Sequence, residues 1–114
     1  MVTVQEIQHQ RTALSRNSVQ ESISFLSQIG HYYEQTIPSK MEYRFIFETE
    51  KLINDLYIKS LQEPGASRIT EQLLEVLSQA GSLAIAVKNK SFGSDFVKTA
   101  KQLGRTLIRI SRMR

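Results

Sequence analysis

Cysteine and tryptophan are absent from this chain of 114 residues, and proline and histidine occur only twice each. The missing thiols exclude disulfides, thiolate metal ligands and cysteine nucleophiles. His9 and His31 have no second ligand at helical spacing and belong to no HExxH motif, so they read as surface or helix-terminal side chains rather than ligands or bases. Two prolines and five glycines leave too few turn residues for a β-rich fold. No apolar run approaches the ~20 residues that span a bilayer. The start, MVTVQEIQHQ, lacks the basic-then-apolar pattern of a secretory signal, so a cytoplasmic location without a membrane partner is expected. Gly-rich phosphate loops and nucleophile elbows are also missing. Glu48, Glu50 and Asp55 lie among polar residues of one long helical pattern, where a solvated face explains them better than an acid/base pair. A non-enzyme without cofactor or metal is expected.

A further absence is local. Between Phe96 and Arg114 there is no acidic residue. That stretch carries Lys98, Lys101, Arg105, Arg109 and Arg112, spaced 3, 4, 4 and 3 residues apart. At about 100° per residue they share a sector roughly 80° wide on one helix face, with Phe96, Ala100, Leu103, Leu107 and Ile110 opposite. Stacked like charges repel weakly, and an anionic partner is the simplest reason to keep five of them. The charge is uneven along the chain as well. Residues 1–83 hold seven Lys/Arg against ten Asp/Glu, a net of −3, while residues 84–114 hold eight against one, a net of +7. That split points to one end that faces a polyanion. Lys88 and Lys90 extend the basic set into the preceding loop, beside Phe92.

Hydrophobic periodicity predicts an all-α fold, one bundle of about five helices over residues 1–114. Thr3-Val4-Gln5-Glu6, Ser18-Val19-Gln20-Glu21 and Ser39-Lys40-Met41-Glu42 each have the form of a capping box ahead of an apolar run. The first helix is expected from Val4 to about Ser15. The second starts near Val19, buries Ile23, Leu26 and Ile29, and ends at Gly30 or runs on toward Pro38. The third, expected to be the longest, spans Lys40 to about Gln62, with Phe45, Ile46, Thr49, Leu52, Ile53, Leu56 and Tyr57 inward. The fourth starts near Ser67 or Thr70 and uses Leu73, Leu74, Leu77, Ala80, Ala84 and Val87, with a close helix approach expected at Gly81. Residues 83–87 could also be a strand by their pattern; with no partner strand, helix is preferred. Ser94 is expected to cap the fifth helix, with Asp95 at its positive end. Most aromatics read as core, with Tyr32 or Tyr33 left exposed.

A small, cysteine-free, helical, basic domain with the cationic stretch Lys88 to Arg112 resembles the small subunit of CRISPR Cascade-type effector complexes. The resemblance covers the whole chain in character and rests on no sharp motif. It implies a non-catalytic subunit of a ribonucleoprotein for antiviral defence. Lys88, Lys90, Lys98, Lys101, Arg105, Arg109 and Arg112 would hold RNA or single-stranded DNA backbone, and the acidic part would face protein neighbours or further copies of the chain. Two other classes compete: a helical adaptor whose basic helix docks on an acidic protein, and an amphipathic membrane anchor. Ala100, Gly104 and Ser111 make the apolar side too shallow for the anchor.

Overall fold

The structure, a computed structural model, describes residues 1–113. Among them the secondary structure is entirely helical: α1 (Val4–Ala13), α2 (Val19–Ser22), α3 (Leu26–Gln35), α4 (Tyr43–Gln62), α5 (Ser67–Lys88) and α6 (Ser94–Ser111). A 3₁₀ turn, Ile23–Phe25, joins α2 to α3, so residues 19–35 form one helical rod and the bundle has five rods. Residues 83–87 are helical. Helix α4 packs between α1 and α5, and α6 between α5 and α3. The radius of gyration is 13.2 Å.

Two of the three expected capping boxes form. Thr3 accepts from the Glu6 N–H at 3.2 Å while the Glu6 carboxylate accepts from the Thr3 N–H at 3.1 Å. Ser18 and Glu21 repeat the exchange at 3.1 and 3.0 Å. The box at Ser39 does not. Pro38–Lys40 is a separate 3₁₀ turn, Met41 is extended and buried, and α4 begins only at Tyr43. The Tyr32 hydroxyl of α3 takes the Glu42 N–H at 3.0 Å. A partner on another helix thus satisfies the N–H of the N-cap residue, no side chain caps α4 itself, and burial of Met41 holds the chain extended past Ser39. In consequence α5, with 22 residues, is the longest helix rather than the 20-residue α4.

The core follows the expected stripes, with local corrections. Ile46, Leu52, Ile53 and Leu56 of α4 are buried, and Tyr57 is only half-buried. On α5 the inner stripe is Ile69, Leu73, Val76, Ala80, Leu83, Ala84 and Val87. Leu74, expected inside, is 53 % exposed; it lies about 100° around the helix from Leu73, which takes the inward position. Tyr32 and Tyr33 are both buried, contrary to the expectation for one of them. Tyr33 donates to Thr49 at 3.0 Å, the Thr49 hydroxyl donates in turn to the Phe45 carbonyl at 2.7 Å, and burial pushes the Tyr33 hydroxyl well above the ordinary phenol range. Tyr32 stacks on Phe45 at 3.7 Å.

At Gly81 an added Cβ would meet only the Glu50 side chain; the close backbone approach is α3 against α6. A Cβ added to Gly30 would lie 2.6 Å from the Gly104 carbonyl oxygen, and one on Gly104 would lie 2.7 Å from the Gly30 oxygen. Two glycines therefore let the backbones touch. Their contact seats α6 deep between its neighbours and fixes which face it turns outward.

Candidate functional site

Helix α6 is strongly amphipathic. Phe96, Ala100, Leu103, Gly104, Thr106, Leu107 and Ile110 are buried against α3 and α5. Lys98, Lys101, Arg105, Arg109 and Arg112 are all exposed on the other side. The 14-residue step from Lys98 to Arg112 makes the ridge about 21 Å long at 1.5 Å per residue. Gly93, not Ser94, occupies the N-cap position, and no side-chain hydrogen bond closes that end; Asp95 stands in the first turn as expected.

The neighbouring helices alter the ridge in one place. Arg109 is hydrogen-bonded to the Gln72 side chain and lies 3.6 Å from the Glu75 carboxylate of α5. Among the described residues, no carboxylate comes within 4.0 Å of Lys98, Lys101, Arg105 or Arg112. Both groups of the Arg109 pair are well exposed, so water and salt screen it heavily. Four of the five ridge cations thus form no ion pair among the described residues, and the fifth is partly neutralised from α5.

Lys88 and Lys90 are exposed too but are placed differently: Lys88 is the last residue of α5 rather than part of the loop expected from the sequence, and Lys90 lies in the α5–α6 loop. The Lys88 ammonium stands 5.8 Å from the centre of the Phe47 ring, on the α4 side of the molecule. Lys90 adopts φ +55, the left-handed conformation that ends a helix. Its N–H donates to the Val87 carbonyl at 3.2 Å, and the Ser91 N–H reaches back to Ala86 at 2.8 Å. The same loop sets Phe92 parallel to Tyr43, at the start of α4, with 6.0 Å between ring centres. This aromatic pair, surface-exposed and formed by residues 49 positions apart, has no signal in the local sequence pattern.

The α4 carboxylates are not the plain solvated face expected from the sequence. Glu48 is only 7 % exposed. It takes a hydrogen bond from Gln8 at 3.4 Å and pairs with Arg11 at 3.3 Å and Lys51 at 3.5 Å. Arg11 also donates to Asp55 at 2.8 Å, and this bond is the main cause that holds the guanidinium above its ordinary pKa. Burial alone would push the Glu48 carboxyl up. The Gln8 amide, with the charges of Lys51 and Arg11, outweighs burial and leaves it below the ordinary carboxylate value. The network ties α1 to α4 and has a structural explanation.

Among the described residues no group of three or more His, Cys, Asp or Glu side chains is placed to hold a metal ion. Nor is any helix long and apolar enough to cross a membrane. No protein-family model matches the chain, and no curated protein or solved structure matches it.

Proposed function

We propose that α6 holds a nucleic-acid backbone without reading its sequence, and that the chain is a non-catalytic, cytoplasmic small subunit of a multisubunit ribonucleoprotein. The CRISPR interference complex implied by the resemblance to Cascade small subunits is the assembly we assign it to. Its partners there are RNA or single-stranded DNA, other protein subunits and copies of itself. The observation that carries this reading is the α6 ridge: five exposed cations in line, four of them without a carboxylate in ion-pairing range among the described residues. Lysine and arginine side chains in file suit phosphate oxygens, and arginine can grip two at once. A track of this kind follows a backbone and discriminates poorly between bases.

The test uses Lys101 and Arg105, because Arg109 is already engaged by α5. On a single strand each neutralised phosphate adds about 0.7 to the slope of log affinity against log salt. Three or four contacts per subunit therefore give a slope of roughly −2 to −3. The Lys101→Glu, Arg105→Glu double variant should flatten that slope and weaken binding to unrelated sequences by similar factors, with helix content unchanged. Binding indistinguishable from the parent would make the ridge a solvated or protein-docking face. The second reading, a helical adaptor, would then stand. It is favoured by Leu61, Leu74 and Ile85, apolar side chains of α4 and α5 that are each more than half exposed.

A further inference from the structure

A second surface combines aromatic and cationic groups, and it lies away from the outer face of α6. Tyr43 is 53 % and Phe92 41 % exposed, large values for aromatic side chains. Their rings are 12° from parallel, with centres 6.0 Å apart. Phe92 is braced from behind by the buried Phe96, which meets it edge-on at 5.3 Å. Tyr43 stands in the first turn of α4. The two rings line an open groove with Pro38, Met41, Glu42 and Arg44. One turn along α4 from Tyr43, Lys88 stands over Phe47. Glu42 is the one acid of the lining, against Arg44 on the lining and Lys88 beside it. The packing of the core does not need these rings at the surface. Each spends exposed apolar area that a soluble protein ordinarily hides.

We infer that the Tyr43–Phe92 pair is a stacking platform for an unpaired base, and that the nucleic acid this protein holds is single-stranded. The inference rests on the backbone-binding reading of α6 and adds to it a site for the bases of the strand. Every base offers a π-face, so an exposed aromatic pair flanked by cations accepts a further stacked ring without regard to sequence. In a duplex those faces are covered by neighbouring bases, and the platform has nothing to take. A protein that followed only duplex phosphates would gain nothing from exposed rings beside Arg44 and Lys88. Such rings and cations together match a strand whose phosphates and bases are both accessible.

The experiment compares three probes at low salt: oligothymidylate, a blunt DNA duplex of the same length, and inorganic polyphosphate, which has charge but no bases. The Tyr43→Ala, Phe92→Ala double variant is the perturbation. Both side chains are largely at the surface, and circular dichroism checks that the fold is kept. As the chain has no tryptophan, Phe92→Trp supplies a single fluorescent reporter. Oligothymidylate affinity should fall roughly five- to a hundredfold in the double-alanine variant, the range expected for losing one stacked base. Polyphosphate and duplex binding should hardly change. The indole emission of the Phe92→Trp variant should be quenched by oligothymidylate and not by polyphosphate. If the parent binds all three probes and the double-alanine variant matches it on each, the rings lie off the strand's path; the stacking inference fails and the ridge reading survives. Failure of the parent to bind any of the probes would instead remove the ridge reading, and the inference with it. Retained oligothymidylate binding combined with loss of a protein subunit from the complex would make the groove a peptide site and overturn the inference.

Discussion

Lys90 shows how one backbone angle can be separated from a charge. It sits at φ +55 just past the end of α5, where glycine is the ordinary occupant because a Cβ is costly there. Lys90→Gly should therefore raise stability by about 1 kcal/mol, read as a higher denaturant midpoint with an unchanged slope. If nucleic-acid affinity falls at the same time, the strained position is kept for its ammonium; if affinity is unchanged, Lys90 belongs outside the site. Glu48 gives a second prediction at this scale. Its folded-state pKa lies below its ordinary value, so its contribution is complete above the unfolded carboxylate pKa and is lost as pH falls through the lower folded value. The exposed Glu21, held down by the Ser18 N–H of its capping box, acts in the same direction. Thermal stability should decline as pH drops below the ordinary carboxylate range, and Glu48→Gln should make that decline shallower. An identical pH profile in the variant would show that Gln8, Arg11 and Lys51 contribute nothing through the ionised form.

For whole helices, the two buried or half-buried glycines of α5 and α6 should respond in opposite ways to the same substitution. Glycine inside a helix ordinarily costs about 0.5–1 kcal/mol relative to alanine. At Gly81 the nearest atom to an added Cβ is the flexible end of Glu50 at 3.4 Å, an ordinary contact, so Gly81→Ala should stabilise by about that amount. At Gly104 the added atom would meet the Gly30 backbone at 2.7 Å, which cannot step aside without moving α3. Overpacking costs about 1–3 kcal/mol and outweighs the helix gain, so Gly104→Ala should destabilise. Equal responses in thermal melts of the two variants would refute this account of the α3–α6 seam. The same helices show what a sequence can disclose. The faces of α4 and α6 were legible because period and burial are local properties, and so were the caps at Thr3 and Ser18. The false start at Ser39 was not, because the competing partner is Tyr32 on another helix. Nor were the Gly30–Gly104 crossing and the buried state of Glu48, which depend on how rods meet. For the candidate site the division is similar. The α6 ridge could be read from spacing alone, whereas the Tyr43–Phe92 pair, the turning of Lys88 toward Phe47 and the Arg109–Glu75 contact all require the tertiary fold.

Across the whole molecule, the bundle sets a row of positive charge on the outside of α6, with Lys88 at the end of α5 and Lys90 in the loop before α6, while Glu48 and Asp55 are tied into the α1–α4 network. This arrangement orients the protein in the field of a polyanion before contact, and the orienting effect weakens as salt shortens the Debye length to about 8 Å at physiological ionic strength. The Gly30–Gly104 seam carries a further consequence, for the order in which the chain folds. The α4–α5 hairpin joins neighbours across a short turn, but the seam joins residues 74 positions apart, and loop-closure entropy makes such contacts late. Leu56→Ala, in the hairpin, should slow refolding, whereas Gly104→Ala should chiefly speed unfolding. Stopped-flow refolding with the reverse pattern would place the seam in the nucleus. During synthesis the hairpin can then form as it emerges, but the apolar side of α3 stays uncovered until α6 has cleared the ribosome. The surface that ends up carrying the cationic ridge is thus attached to the last piece of the fold to settle, and any strand it holds has to wait for the finished protein.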